Sequence, residues 1–277
     1  MRVKSTPHAH TTFVDGRSTV EEMAAEAFRR GFISLGFSEH ASQPFDKNYC
    51  LDARSEKDYQ ASVRNAQSAY AGRMPVALGI ERDLFSTAER AQYQYVIGSV
   101  HYLPLSGEYI AVDGDLTGVV RLWREGFLQD GLKMARAYYE RLAEYVKSYR
   151  PDIIGHADLI TKHNQGNRFF DEGDGRYLNI AREALECMAE SGAMLEVNTG
   201  AMARGSMSRP YPQMELLRFW REKKGRVILS SDCHDAAKID FGYDMAYKCV
   251  EAAGFQSVWA LSAKEGGPLF EEFALLE

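Results

Sequence analysis

The chain has 277 residues, 45% of them hydrophobic and 26% charged, with a formal net charge of −6. That length supports a large core, and in α/β proteins a single domain, here expected over residues 1–277. The negative balance argues against a nucleic-acid partner, and four cysteines without a CxxC pair argue against a disulfide framework. No run approaches the ~18 apolar residues of a membrane span, and MRVKSTPHAH lacks a signal stretch, so a cytoplasmic protein with no membrane partner is expected.

In chain order, RVKST (2–6) predicts the first strand. STVEEMAAEAFRRG predicts an amphipathic helix with Ser18 as N-cap, Glu21 completing a capping box and Gly31 as the stop. FISLGFS (32–38) is the second strand, 52–71 a helix, PVALGI (75–80) the third strand and QYVIGSV (94–100) the fourth. The 102–118 stretch, with three glycines, reads as a loop, and 119–149 as a helix. DIIGHA (152–157), AMLEVN (193–198), RVILSS (226–231) and SVWALS (257–262) supply the remaining strands. Helices over 175–191, 211–224 and 244–253 separate them. Several strands are continuously apolar, as in parallel sheets covered on both faces. The βα alternation points to a parallel barrel of seven or eight strands, with an open doubly wound sheet as the other arrangement.

The histidines fall on this map in a pattern. The chain has seven, and six lie at or just past a strand end: His8, His10, His40, His101, His156 and His234. Glu81 ends the third strand, Asp232 the seventh, and Asp15 follows the first. In β/α architectures the carboxyl ends of the strands build the active face, so nine metal-competent side chains would meet there. His8 and His10 share a face at i, i+2. Each of these histidines has an ordinary reading as a core or loop residue, but their joint placement favours a metal cluster. His163 stays outside the pattern. Cys233, between Asp232 and His234, would turn to the opposite face as a small core residue.

HAH, FSEH, GIE, GSVH, IGHADL and SDCH, in that order, resemble the polymerase and histidinol phosphatase (PHP) superfamily, most nearly its histidinol-phosphate phosphatase branch. The resemblance spans His8 to His234. It implies a distorted (β/α)7 TIM-like barrel with the active site at the C-terminal ends of the strands, and three divalent metals. By position, the first metal would take His8, His10, Glu81 and Asp232; the second Glu81, His101 and His156; the third Asp15, His40 and His234. Glu81 would bridge the first two.

Imidazole and carboxylate donors without thiolate suit Zn, Fe or Mn, two to three ions in all. Ions ~3.5–4 Å apart turn a bridging water into a nucleophilic hydroxide and neutralise phosphoryl charge. A phosphate monoester brings three oxygens to such a cluster. Arg204, Lys162 and Arg17 are candidate cations for it, with Asn198 at the end of the sixth strand and Arg168 in the loop after the fifth. Glu81, Asp232 and His234 are the candidate catalytic groups; Asp232 or His234 would relay a proton to the leaving alkoxide. The resemblance implies hydrolysis of L-histidinol phosphate. The alternatives are a phosphoesterase for a nucleotide, a sugar phosphate or phosphotyrosine, and a barrel retained for metal storage or partner binding.

Overall fold

The structure is a computed structural model describing residues 2–275. Eleven strands are present among the described residues: β1 (Ser5–Thr6), β2 (Ser34–Phe37), β3 (Val76–Asp83), β4 (Tyr95–Ser99), β5 (Tyr102–Leu105), β6 (Glu108–Ala111), β7 (Ile153–Ile154), β8 (Met194–Asn198), β9 (Val227–Ser230), β10 (Ser257–Leu261) and β11 (Phe270–Ala274). The helices are α1 (Val20–Arg29), α2 (Ser55–Tyr70), α3 (Leu116–Arg121), α4 (Gly131–Tyr149), α5 (Gly175–Ala189), α6 (Gly200–Ala203), α7 (Met214–Glu222) and α8 (Tyr243–Ala252). All eight expected strand runs contain a strand.

Nine strands form one sheet in the order β1-β2-β3-β4-β7-β8-β9-β10-β11, parallel throughout except for the antiparallel pair β10–β11. The ladder is not a closed ring. β1 and β7 are only two residues long, and β10 and β11 extend the sheet beyond β9. A single parallel bridge, Ala9 to Cys233, joins the segment after β1 to the segment after β9. Its backbone bond runs from the His10 N–H to the Cys233 carbonyl at 2.8 Å.

Several features depart from the sequence expectation. The 102–118 stretch is not all loop: β5 and β6 form a hairpin turned by Ser106 (φ 50°) and Gly107 (φ 87°). Positive φ at both central residues is the turn that matches strand twist. The 119–149 helix is interrupted by a π-helical turn at Leu122–Gly126, and α4 restarts at the Asp130 cap, whose carboxylate accepts from the Lys133 N–H at 3.0 Å. The edge strand β11, FEEFA, carries two glutamates and lacks the apolar run that marks the others.

At α1 the cap is one residue later than expected. Thr19 accepts from the Glu22 N–H at 3.2 Å while Glu22 accepts from the Thr19 N–H at 2.8 Å. Ser18 instead accepts from the Ala236 N–H at 3.1 Å, tying the first loop to the segment after β9. Val20, Met23, Ala24 and Ala27 then present one buried face, and Gly31 (φ 74°) ends the run as expected.

Tyr95 packs in a buried cluster with Ala77, Ile97, Ile153, Met194, Ile228 and Leu261, drawn from β3, β4, β7, β8, β9 and β10. It is 1% exposed, and its hydroxyl is shared between the carbonyls of Pro7 and Phe37. Its ring lies directly on Gly79, where a Cβ would meet the ring at 2.2 Å, so only glycine fits there. Tyr95 therefore braces β4 against the exits of β1 and β2. Tyr95→Phe keeps the ring and strands a buried carbonyl, so stability should fall by about 1–3 kcal/mol. Unchanged thermal and urea unfolding would contradict the bracing role.

Candidate metal centre

The strand exits place the nine expected side chains together. His8 and His10 follow β1, His40 follows β2, Glu81 lies in β3, His101 follows β4, His156 follows β7, and Asp232 and His234 follow β9. Asp15 comes from the loop before α1. Two of these residues hold left-handed backbones as the chain leaves its strand, His156 (φ 20°) and Asp232 (φ 43°). Such conformations cost about 1–3 kcal/mol each and persist only where the surroundings over-determine them.

Glu81 is the hub. Its Oε2 lies 3.2 Å from His8 Nε2, 3.5 Å from His10 Nε2 and 2.9 Å from His40 Nδ1. Its Oε1 lies 3.4 Å from His101 Nε2 and 2.9 Å from His156 Nε2, and accepts from the Ser99 hydroxyl at 2.7 Å. Asp232 Oδ1 lies 3.4 Å from His10 Nε2 and 3.8 Å from His8 Nε2. Asp15 Oδ2 lies 3.0 Å from His234 Nε2 and 4.0 Å from His40 Nε2. Two ligands of one ion held at about 2.1 Å are themselves roughly 3–3.5 Å apart, so these spacings suit metal coordination.

Among the described residues, three groups of donor atoms each lie within 4.8 Å of one another: His8, His10 and Asp232; His40, Glu81 and His101; and His10, Asp15, His40 and His234. His40 and His10 thus each belong to two groups, unlike the assignment the resemblance implies. Among the described residues, His10 Nδ1, Asp15 Oδ1 and Glu81 Oε2 are buried and make no well-aligned hydrogen bond, which is costly in a metal-free cluster. The residues fit divalent ions. Cys233 is not among them. Its thiol donates to the Asp235 carbonyl at 2.9 Å, and burial pushes it up to about 12.

Electrostatics polarise the cluster. Burial opposes charge on Glu81, but the imidazoles of His8, His40 and His101 hold it well below the carboxylate range. Burial likewise opposes charge on Asp232, and Arg204 with His8 overcomes it. Burial lowers His10, yet Asp232, Glu39 and Asp15 push it up to about 10. His101 reaches about 9, with Glu81 and Asp83 outweighing burial. His8 is also raised well above its ordinary value, by Glu196, Glu81 and Asp232 against burial. His234 is lowered by burial and the charge of His10.

The expected cations divide. The Arg204 side chain, 34% exposed, donates to the Asp232 carbonyl at 3.1 Å and to its Oδ2 at 3.0 Å, with His234 Nδ1 2.9 Å away. Lys162 reaches the Asp113 carbonyl at 2.7 Å and its Oδ2 at 3.3 Å. The Arg17 side chain is exposed; only its backbone N–H joins this region, donating to the His234 carbonyl at 2.7 Å. Arg168 is exposed in its loop. Asn198 is fully buried beneath the carboxylates, donating to Glu196 at 2.9 Å and Asp232 at 3.3 Å. His163 lies apart, its Nε2 2.7 Å from the Gly114 carbonyl.

The sequence pattern of the PHP domain family matches residues 7–200. The chain belongs to the PHP domain family. A Deinococcus radiodurans protein named "Probable histidinol-phosphatase" is 28% identical over 268 residues, covering 91% of this chain and 94% of that protein. The histidinol-phosphatase of Bacillus subtilis is 23% identical over 266 residues, covering 86% and 96% respectively. A histidinol phosphate phosphatase from Lactococcus lactis, solved with zinc, L-histidinol and phosphate, shares the fold at a TM-score of 0.69. It is 20% identical and covers 94% of this chain and 97% of that one.

This PHP domain also contains acids that the strand-end reading passed over. Glu39 accepts from the Thr11 N–H at 2.7 Å and places Oε2 3.6 Å from His10 Nδ1. Asp83 accepts from the His101 N–H at 2.6 Å, with His101 Nδ1 at 3.2 Å. Glu196 lies 2.6 Å from His8 Nδ1. Their signal was spacing: Asp83 stands two residues from Glu81, Glu196 two from Asn198, and Glu39 beside His40. Carboxylates behind ligand imidazoles fix ring orientation and raise donor strength.

These values set the pH response. A metal ion taken up here would have to displace protons from His8, His10 and His101, so affinity should climb as pH rises from 7 toward 9–10. In the metal-free PHP domain the same groups stabilise fully below about 6.5, and that stability is lost as pH rises through their folded values. Calorimetric titration with Zn²⁺ in buffers of different ionisation enthalpy should show proton release at pH 7. Binding without proton release would contradict these protonation states.

Proposed function

We propose that this PHP domain protein is a metal-dependent phosphomonoesterase that hydrolyses L-histidinol phosphate to L-histidinol and phosphate. The observation that carries the reading is one buried carboxylate, Glu81, with five imidazole nitrogens within 3.5 Å of its two oxygens. Relatives named histidinol-phosphatase, aligned along most of their length, point to the substrate. The zinc, histidinol and phosphate held by the Lactococcus lactis protein are consistent with it.

On this reading Glu81 with His8, His10 and Asp232 would hold one ion, and Glu81 with His101 and His156 a second. Asp15, His40, His10 and His234 frame a third. Two to three ions of Zn, Fe or Mn suit these donors. When bound, such ions acidify water and neutralise phosphoryl charge. Asp232 is ionised and His234 lowered, so both serve better as lone-pair donors than as the acid for the alkoxide.

Arg204, at the edge of the cluster, and Lys162 face the phosphate, and Arg17 is placed to follow from the first loop. Asn198 orients Asp232. We read β1, β2, β3, β4, β7, β8 and β9 as a distorted (β/α)7 barrel within one domain over 1–277. The Ala9–Cys233 bridge supports that closure. No helix among the described residues is long and apolar enough to cross a membrane.

The test is phosphate release by the metal-loaded protein from L-histidinol phosphate, nucleotides, sugar phosphates and phosphotyrosine. L-Histidinol phosphate should be preferred, and another preferred ester would replace it as substrate. Arg204→Ala should cost about 1.5–3 kcal/mol in kcat/KM, the value of hydrogen bonds to charged groups. Lys47→Ala, an exposed loop control, should change nothing. Equal kinetics for the two variants would remove Arg204 from the site.

A further inference from the structure

β8 supplies no ligand to the cluster, yet its run MLEVN carries two polar residues, Glu196 and Asn198, that are fully buried. Spaced at i, i+2, they share one face of the strand. An ionised carboxylate inside a protein is costly unless its lone pairs are taken up. Those of Glu196 are. Oε1 faces His8 Nδ1 at 2.6 Å and accepts from the Ser230 hydroxyl at 2.5 Å. Oε2 accepts from the His156 backbone N–H at 2.7 Å and from the Asn198 amide at 2.9 Å.

The two oxygens therefore act on two different donors. Toward His8, Glu196 lies against Nδ1 and holds a proton there, so that Nε2, which faces Glu81, His10 and Asp232, is the nitrogen left to give up its proton to a metal. Toward His156, the same carboxylate holds the N–H of a residue whose φ is 20°. That backbone sets the ring so that Nε2 lies 2.9 Å from the other oxygen of Glu81. Asn198 carries the support to a third donor through Asp232 Oδ2 at 3.3 Å.

We infer that Glu196 is the positioning residue of the centre, coupling the ring of His8 to the backbone of His156 so that donors on both oxygens of Glu81 are set together. This rests on the metal-binding reading above. Removing its charge should weaken metal binding at both places, where a support for one histidine would affect one. A purely structural role would lower the melting temperature and leave metal affinity alone.

Metal affinity is measured by chelator competition with Zn²⁺ on wild type, Glu196→Gln and the exposed control Glu190→Gln. The His8 ring N–H is followed by ¹H–¹⁵N NMR of the zinc-loaded protein. Glu196→Gln should bind about 10–100-fold more weakly, the usual cost of losing such a partner, and should lose the protected His8 Nδ1–H signal. Glu190→Gln should match wild type. Wild-type affinity together with a retained His8 signal in Glu196→Gln would overturn the inference. If Glu196→Gln fails to fold, Ser230→Ala decides, because it removes one bond to Oε1 and keeps the charge: weaker zinc binding supports the coupling, and unchanged binding overturns it. A wild-type protein that binds no metal overturns both this inference and the reading beneath it. Metal binding without activity on L-histidinol phosphate contradicts the substrate alone.

Discussion

A carboxylate that is 1% exposed has to be stabilised by what surrounds it, and Glu81 is surrounded by five imidazoles. The rest of the structure serves that arrangement. Parallel strands bring their carboxyl ends to one side, so residues far apart in sequence reach the same carboxylate without long loops. The short β1 and β7 end just before the donors that follow them, and two of the exits take left-handed backbones to turn those donors inward. Arg204 holds the Asp232 carboxyl down directly, while Glu196 reaches the same carboxylate through the Asn198 amide.

Crowding has a consequence for the metal-free protein. Histidines pushed up to about 9 and 10 carry charge at neutral pH and offset the buried carboxylates. A divalent ion bound here would replace those protons as the source of positive charge, which would link folding, protonation and metal uptake through one set of residues. The orphaned His10 Nδ1, Asp15 Oδ1 and Glu81 Oε2 mark where that replacement is incomplete without the ion.

Much of this could be read from the residues. Eight apolar runs gave eight strands, and histidines at their ends met in space because side-chain direction and strand polarity are local properties. The features that escaped depend on partners distant in sequence. Thr19 caps α1 because Ser18 is drawn away by Ala236. The β5–β6 hairpin was signalled by Ser-Gly at its turn, but its strands, YLPL and EYIA, are only four residues long and the first contains Pro104. β11 is a strand because β10 pairs with it, not because of its own sequence. His40 was placed with Asp15 and His234, yet its Nδ1 also lies 2.9 Å from Glu81, a proximity that spacing along the chain does not encode. Glu196 sits inside the strand run AMLEVN, and only the donors folded against it mark it as part of the centre.

The most direct measurement is anomalous diffraction from crystals of the protein grown with Zn²⁺ or Mn²⁺, collected on either side of the metal absorption edge. Two or three anomalous peaks should lie among His8, His10, Asp15, His40, Glu81, His101, His156, Asp232 and His234, with Glu81 touching more than one. A cluster without anomalous density under these conditions, or peaks that leave Glu81 uncoordinated, would contradict a metal centre built around that carboxylate.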